Sequence, residues 1–162
     1  YNQGIAINSW GKNVFVKIPI TNSKGIFMKK VIQNLNNKGI KLNITAVYSA
    51  NQTKKILKII NKKSKVIISI FAGRMADVGK DPVLEIKKSI NLSKKYKNVE
   101  ILWASTREPY NFLQAKNLQC NIITAPPQII EKIEKFGKTF YQLTVDTVKG
   151  FLVDSKKSNF RI

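Results

Sequence analysis

Histidine does not occur in this chain of 162 residues, and cysteine occurs once, as Cys120. An internal disulfide is therefore excluded, and a zinc site loses its usual ligands. Arginine is confined to Arg74, Arg107 and Arg161, and only nine residues are acidic. No apolar run reaches the length of a membrane span. No charged segment leads into an apolar one, as a secretory signal would. No Gly-x-Gly-x-x-Gly fingerprint or P-loop follows a strand, so a dinucleotide or nucleotide-hydrolysis site lacks its phosphate cradle. Cys120 precedes the apolar pair Ile122-Ile123 and reads as a buried structural thiol. A cytoplasmic protein is the simplest expectation.

What the chain does have is positive charge, a formal net +20. That invites a nucleic-acid partner. The cations are nearly all lysine, however, spread along the chain beside abundant asparagine and isoleucine. This trio is what an AT-rich coding bias produces, and arginine is the residue favoured for planar phosphate recognition. Nucleic-acid binding is therefore disfavoured, and is kept as an alternative from a different class.

Five short apolar runs punctuate the chain: Val14 to Ile18, Leu42 to Val47, Val66 to Phe71, Glu100 to Ala104 and Asn121 to Thr124. Helical periodicity fills the gaps between them. The first helix after the first run stops at Lys38-Gly39, where glycine suits a left-handed cap. Asp81-Pro82, Glu108-Pro109 and Pro126-Pro127 read as helix starts. Leu143 to Phe151 reads as a closing helix with Val145, Val148 and Leu152 on one face, and Tyr1 to Trp10 as the tail of an opening one. Alternating strands and helices imply parallel β/α units with right-handed crossovers. A (β/α)₈ barrel spends roughly 31 residues per unit. The chain is therefore expected to hold five units in a single domain over 1–162, the first three units of the barrel lying upstream.

Lys17 interrupts the first run, which otherwise reads as a strand buried on both faces. Lysine seldom goes fully inside unless paired or functional. Burial would disfavour its ammonium, and a neutral amine in a dry site attacks carbonyls. The bland alternative is a strand-end lysine that snorkels to water. The polar residues are expected to gather just beyond the C-terminal ends of the strands: Lys17, Asn43 to Thr45, Ser69 to Arg74, and Ser105 to Arg107. In a (β/α)₈ barrel the C-terminal strand ends carry the active site.

Four motifs occur in order. They are Ser9 to Thr21 around Val16-Lys17-Ile18-Pro19, Lys38 to Ala46 around Asn43-Ile44-Thr45, Phe71 to Asp77 around Gly73-Arg74, and Trp103 to Glu108 around Ser105-Thr106-Arg107. Together they resemble the transaldolase family, including its small fructose-6-phosphate-aldolase-like branch, from about Ser9 to Phe151. The resemblance implies a class I aldolase-type barrel that needs no metal or organic cofactor and works in the pentose phosphate pathway. It implies that Lys17 forms a Schiff base with a ketose phosphate and that Thr45 positions a catalytic water. It makes Asn43 line the substrate pocket beside Thr45, and places Ser69 and Phe71 against the substrate carbons and Arg74, Ser105 and Arg107 on its phosphate. The three-carbon dihydroxyacetone unit would then pass to an aldose phosphate such as erythrose 4-phosphate. A homo-oligomer is also implied.

Each residue keeps an ordinary alternative: Thr45 as strand filler, Asn43 as a structural hydrogen-bond partner, Ser69 and Phe71 as core. Arg74 could pair with Asp77 one helical turn on, and Arg107 with Glu108. The family's proton-transferring aspartate and glutamate lie before the Schiff-base strand and are not expected within this chain. Three other readings stay open: an aldolase that releases its product without transfer, a basic nucleic-acid-binding module, and a non-catalytic remnant.

Overall fold

In a computed structural model that describes residues 1–158, the five apolar runs form one parallel sheet. Its strands are β1 (Val16–Pro19), β2 (Leu42–Val47), β3 (Val66–Phe71), β4 (Val99–Ala104) and β5 (Ile122–Ile123). Each strand pairs with the next in sequence, giving the order β1-β2-β3-β4-β5. A doubly wound sheet would reverse its order partway. This order is instead that of an arc of a (β/α)₈ barrel. Arg161 lies outside the described residues.

The helices are α1 (Asn2–Asn8), α2 (Lys29–Asn37), α3 (Ala50–Leu57), α4 (Ala72–Ala76), α5 (Val83–Ser93), α6 (Tyr110–Asn117), α7 (Pro127–Ile133) and α8 (Phe140–Ser158). Gly39 ends the α2 segment at φ 81°, as expected of a left-handed cap. A capping box opens α3. The Ser49 hydroxyl accepts the Gln52 N–H at 3.2 Å, and Gln52 Oε1 accepts the Ser49 N–H at 3.1 Å. Pro127 takes the first position of α7, whereas Pro82 and Pro109 sit one residue ahead of α5 and α6. No helix among the described residues is long and apolar enough to cross a membrane.

Strand alternation sorts the sheet into two different faces. Val16, Leu42, Val66 and Val99 lie in register across the sheet, as do Ile18, Ile44, Ile68 and Ile101, and all eight are buried. With Ile32 and Leu35 of α2, Ile56 of α3 and Ile86 of α5 they form the core. The other face carries the row Lys17, Asn43, Ile67 and Glu100.

Asparagine, read as composition bias, has a structural use at the N-terminal end of the sheet. Asn36 is fully buried, and its Oδ1 accepts the Asn61 N–H at 2.6 Å. Asn98 Nδ2 donates to the carbonyls of Asn61 and Ser64 at 3.0 and 2.6 Å. These bonds satisfy backbone groups in loops that would otherwise be left unpaired.

One expected packing surface does not form. Helix α8 is longer than predicted but buries no residue, and Val148 and Leu152 are 57% and 55% exposed. Val145 of its apolar stripe is partly covered, whereas Val148 and Leu152 stay open.

Candidate active site

Lys17 is exposed, which corrects the expectation of a buried amine. The alternation of β1 sends Val16 and Ile18 into the helix-covered core and turns Lys17 and Pro19 to the opposite, open face. Its ammonium makes no hydrogen bond or ion pair among the described residues. A second correction concerns placement along the strands. Lys17, Asn43, Thr45 and Ser69 lie within β1, β2 and β3 rather than beyond their ends.

The register nevertheless brings these residues together. Lys17 pairs with Asn43 across β1 and β2, so their Cα atoms are about one strand spacing, ~5 Å, apart on the same face. Ser69 Oγ donates to Asn43 Oδ1 at 2.6 Å, fixing the amide from the next strand. Ser69 is also buried, so its role as a small residue and as a partner of Asn43 coincide.

Thr45 owes its setting to an irregularity. The β2–β3 register shifts between Ile44 and Val47, and Ala46 takes φ 58°, a region alanine rarely enters. Such a bulge re-aims neighbouring side chains and is common beside active sites. Thr45 is 8% exposed, and its Oγ1 is buried without a hydrogen-bond partner among the described residues. An unpaired buried hydroxyl costs about 1–3 kcal/mol, a cost that a valine of the same shape would not carry.

Beyond the strand ends, two loops leave the sheet side by side. Phe71 pairs with Ala104, and an arginine follows three residues after each, Arg74 and Arg107. Arg74 lies over the Phe71 ring, 5.3 Å from its centroid, and the ring meets Tyr48 edge-on at 5.9 Å. Phe71 is thus held from two sides while staying half-buried. Ser105 adopts φ 67°, and Thr106 next to it is buried and donates to the Thr124 carbonyl at 2.6 Å. A concavity of about 390 Å³ lined by Ser105, Thr106, Arg107, Thr124, Ala125 and Pro126 opens there.

Neither of the ion pairs considered from sequence forms. Asp77 pairs with Arg107 rather than Arg74, at 2.7 Å between Oδ2 and Nη2. The Arg107 hydrogen bonds hold the Asp77 carboxyl below its ordinary range. A smaller desolvation opposes them, and the charges of Arg107 and Arg74 add to the lowering. A depressed carboxyl is ionised above its ordinary range, so the pair is present at neutral pH and is lost as pH falls through the lowered value.

Sequence reasoning passed over Gly73 and Glu100. A Cβ built on Gly73 would stand 1.6 Å from the Ser105 carbonyl oxygen and 2.9 Å from Arg107 Cγ. A glycine inside the arginine motif was the available signal. Glu100 is the only acid that a described strand places on the Lys17 face, but the register sets it three strands away. At about 14 Å along the sheet it is out of direct proton-transfer range. Cys120 is partly buried, and burial pushes its thiol up to about 11, as suits an inert structural residue.

The chain is thus a parallel β/α sheet with an open-face lysine, an asparagine–serine pair and two arginine loops, and comparison with known proteins shows its family. The family model described as Transaldolase/Fructose-6-phosphate aldolase matches residues 1–162, and the chain belongs to that family. A "Probable transaldolase" of Herpetosiphon aurantiacus is 29% identical over 153 residues, covering 94% of this chain and 63% of the relative. One of Nitrosopumilus maritimus is 30% identical over 158 residues, covering 96% and 65%. One of Methanococcus maripaludis is 32% identical over 144 residues, covering 88% and 61%. The chain thus spans less than two thirds of the length of these relatives.

Proposed function

We propose that this chain, as a single domain, supplies the lysine nucleophile and the phosphate grip of a transaldolase-type enzyme. In this reading Lys17 Nζ adds to the C2 carbonyl of a ketose phosphate and water leaves to give an imine. The C3–C4 bond then breaks, its electrons flowing to the iminium nitrogen as the C4 hydroxyl loses a proton, and the aldose phosphate departs. The resulting enamine carbon attacks the carbonyl carbon of an acceptor aldehyde, whose oxygen takes up a proton, and water then hydrolyses the regenerated iminium to release the new ketose phosphate and free Lys17. The observation that carries this reading is the register of Lys17 with Asn43, which Ser69 locks in place on an open face. Thr45, with its unpaired hydroxyl, serves as the group that orients the water moving these protons. Arg74, Ser105 and Arg107 receive the phosphate, and Phe71 walls the carbon chain. A cytoplasmic setting and a homo-oligomer belong to the same proposal, the exposed Phe140, Phe151 and Leu152 of α8 favouring the latter.

The reaction type is tested by product analysis with fructose 6-phosphate. Transfer predicts glyceraldehyde 3-phosphate beyond one equivalent per chain only when erythrose 4-phosphate is supplied as acceptor. Release of dihydroxyacetone without an acceptor would assign aldolase activity instead. With Glu100 the only acid that a described strand places on the Lys17 face, turnover of this chain is expected to be about 10²-fold or more below that of a relative with a positioned acid.

Thr45→Val separates chemistry from folding. Removing an unsatisfied buried hydroxyl is expected to leave stability unchanged or raise it by about 1 kcal/mol. Imine formation at Lys17 is expected to slow by about tenfold or more. Denaturant melts and a trapping time course read the two effects. A stability loss with unchanged trapping would assign Thr45 to the core alone.

The basic-module reading has one observation behind it. Lys62, Lys63, Lys65, Lys95 and Lys97 surround a shallow concavity beside Asn98, near the N-terminal ends of β3 and β4. That is the end of the sheet opposite the arginine loops.

A further inference from the structure

We propose that Asp77 is a positioning residue that holds the Arg107 guanidinium with one fork open toward the substrate phosphate. The inference rests on the reading of Arg107 as a phosphate ligand. The two residues come from different β/α loops, thirty positions apart, and meet through three contacts. Arg107 Nε donates to Oδ1 at 3.0 Å and Oδ2 at 3.1 Å, and Nη2 donates to Oδ2 at 2.7 Å. A guanidinium carries five N–H donors arranged as two usable forks. Asp77 occupies the Nε/Nη2 side. Both Nη1 protons and the second Nη2 proton remain, which is the end-on fork that matches two phosphate oxygens.

The backbone that carries the guanidinium is already fixed. The Arg107 N–H donates to Asn111 Oδ1 at 3.0 Å, and its neighbour Thr106 is tied to the Thr124 carbonyl. The side chain then runs over Gly73, whose missing Cβ makes room for Arg107 Cγ. Asp77, at the C-terminal end of α4, meets it one turn further on. Without the carboxylate the long side chain would sample many rotamers, and phosphate binding would have to order it. Arg74 needs no such partner, since it rests on the Phe71 ring. The competing possibility is that Asp77 blocks the site and must be displaced by phosphate. Its use of only the side-on fork argues for positioning.

The test is inorganic phosphate binding to the full chain, followed by calorimetry and by the Arg107 Nε–H resonance. Asp77→Ala is expected to weaken phosphate by about threefold to tenfold, and Asp77→Glu to recover most of that loss. In the wild type the Nε–H signal is expected to stay hydrogen-bonded at saturating phosphate. Tighter binding by Asp77→Ala, or an Nε–H that leaves Asp77 as phosphate binds, overturns positioning in favour of competition. Unchanged binding by Asp77→Ala, with binding lost in Arg107→Ala, overturns the inference and leaves the phosphate reading intact. Unchanged binding by Arg107→Ala overturns both. Near-ultraviolet circular dichroism of the buried Trp103 confirms that each variant is folded.

Discussion

Gly73→Ala is expected to destabilise the chain by about 3 kcal/mol, the upper end of the usual overpacking penalty. It is also expected to reduce phosphate affinity by more than loss of either arginine alone. The new methyl would stand 1.6 Å from the Ser105 carbonyl oxygen and 2.8 Å from its carbonyl carbon. Both are backbone atoms, so no rotamer change relieves the clash. The α4 segment and the loop after β4 would have to move apart, carrying Arg74 and Asp77 away from Ser105 and Arg107. One methyl group thus disturbs both arginines and their supports. Chemical denaturation and phosphate titration read the two losses. A variant as stable as wild type that binds phosphate normally would contradict the close approach on which the site is built.

Lys17→Arg is expected to abolish imine formation while changing stability by no more than about 0.5 kcal/mol. The substitution keeps the charge, but a guanidinium does not lose its proton to become an amine nucleophile. Stability should hold because Lys17 is exposed and makes no contact through its ammonium that the variant would break. Exposure has a further consequence. Water reaches the nucleophile on an open face, so the imine should hydrolyse readily and its standing population should be small. Reductive trapping, which removes the imine as it forms, is therefore the suitable readout. Borohydride adduct that persists in Lys17→Arg would move the nucleophile to another lysine.

Much of the frame was legible in the sequence. Run Val66 to Phe71 is strand β3 residue for residue, because β-branched and aromatic side chains mark both of its ends and Ser69 alone interrupts them. Asn43, Ser69, Arg74, Ser105 and Arg107 could be read as neighbours because parallel β/α order places successive strands side by side. Exposure of Lys17 was not legible. An apolar run interrupted by one lysine reads as buried on both faces, whereas β1 covers only the face of Val16 and Ile18. Nor was the Asp77–Arg107 pair. Local spacing favours Arg74 as the partner three residues away, and only the packing of α4 against the loop after β4 selects Arg107 instead. The stripe of α8 reads as core from its periodicity, but periodicity does not say what covers a face.

The most direct measurement of the central claim is borohydride reduction of the chain with fructose 6-phosphate, followed by peptide mass spectrometry. Lysines are abundant and most of the chain's positive charge is theirs, so selectivity carries the weight. A Schiff-base site predicts one adduct per chain, on Lys17, and none above background on exposed lysines such as Lys62 and Lys63. Adducts scattered over surface lysines, or a Lys17 peptide left unmodified while the protein is folded, would contradict it.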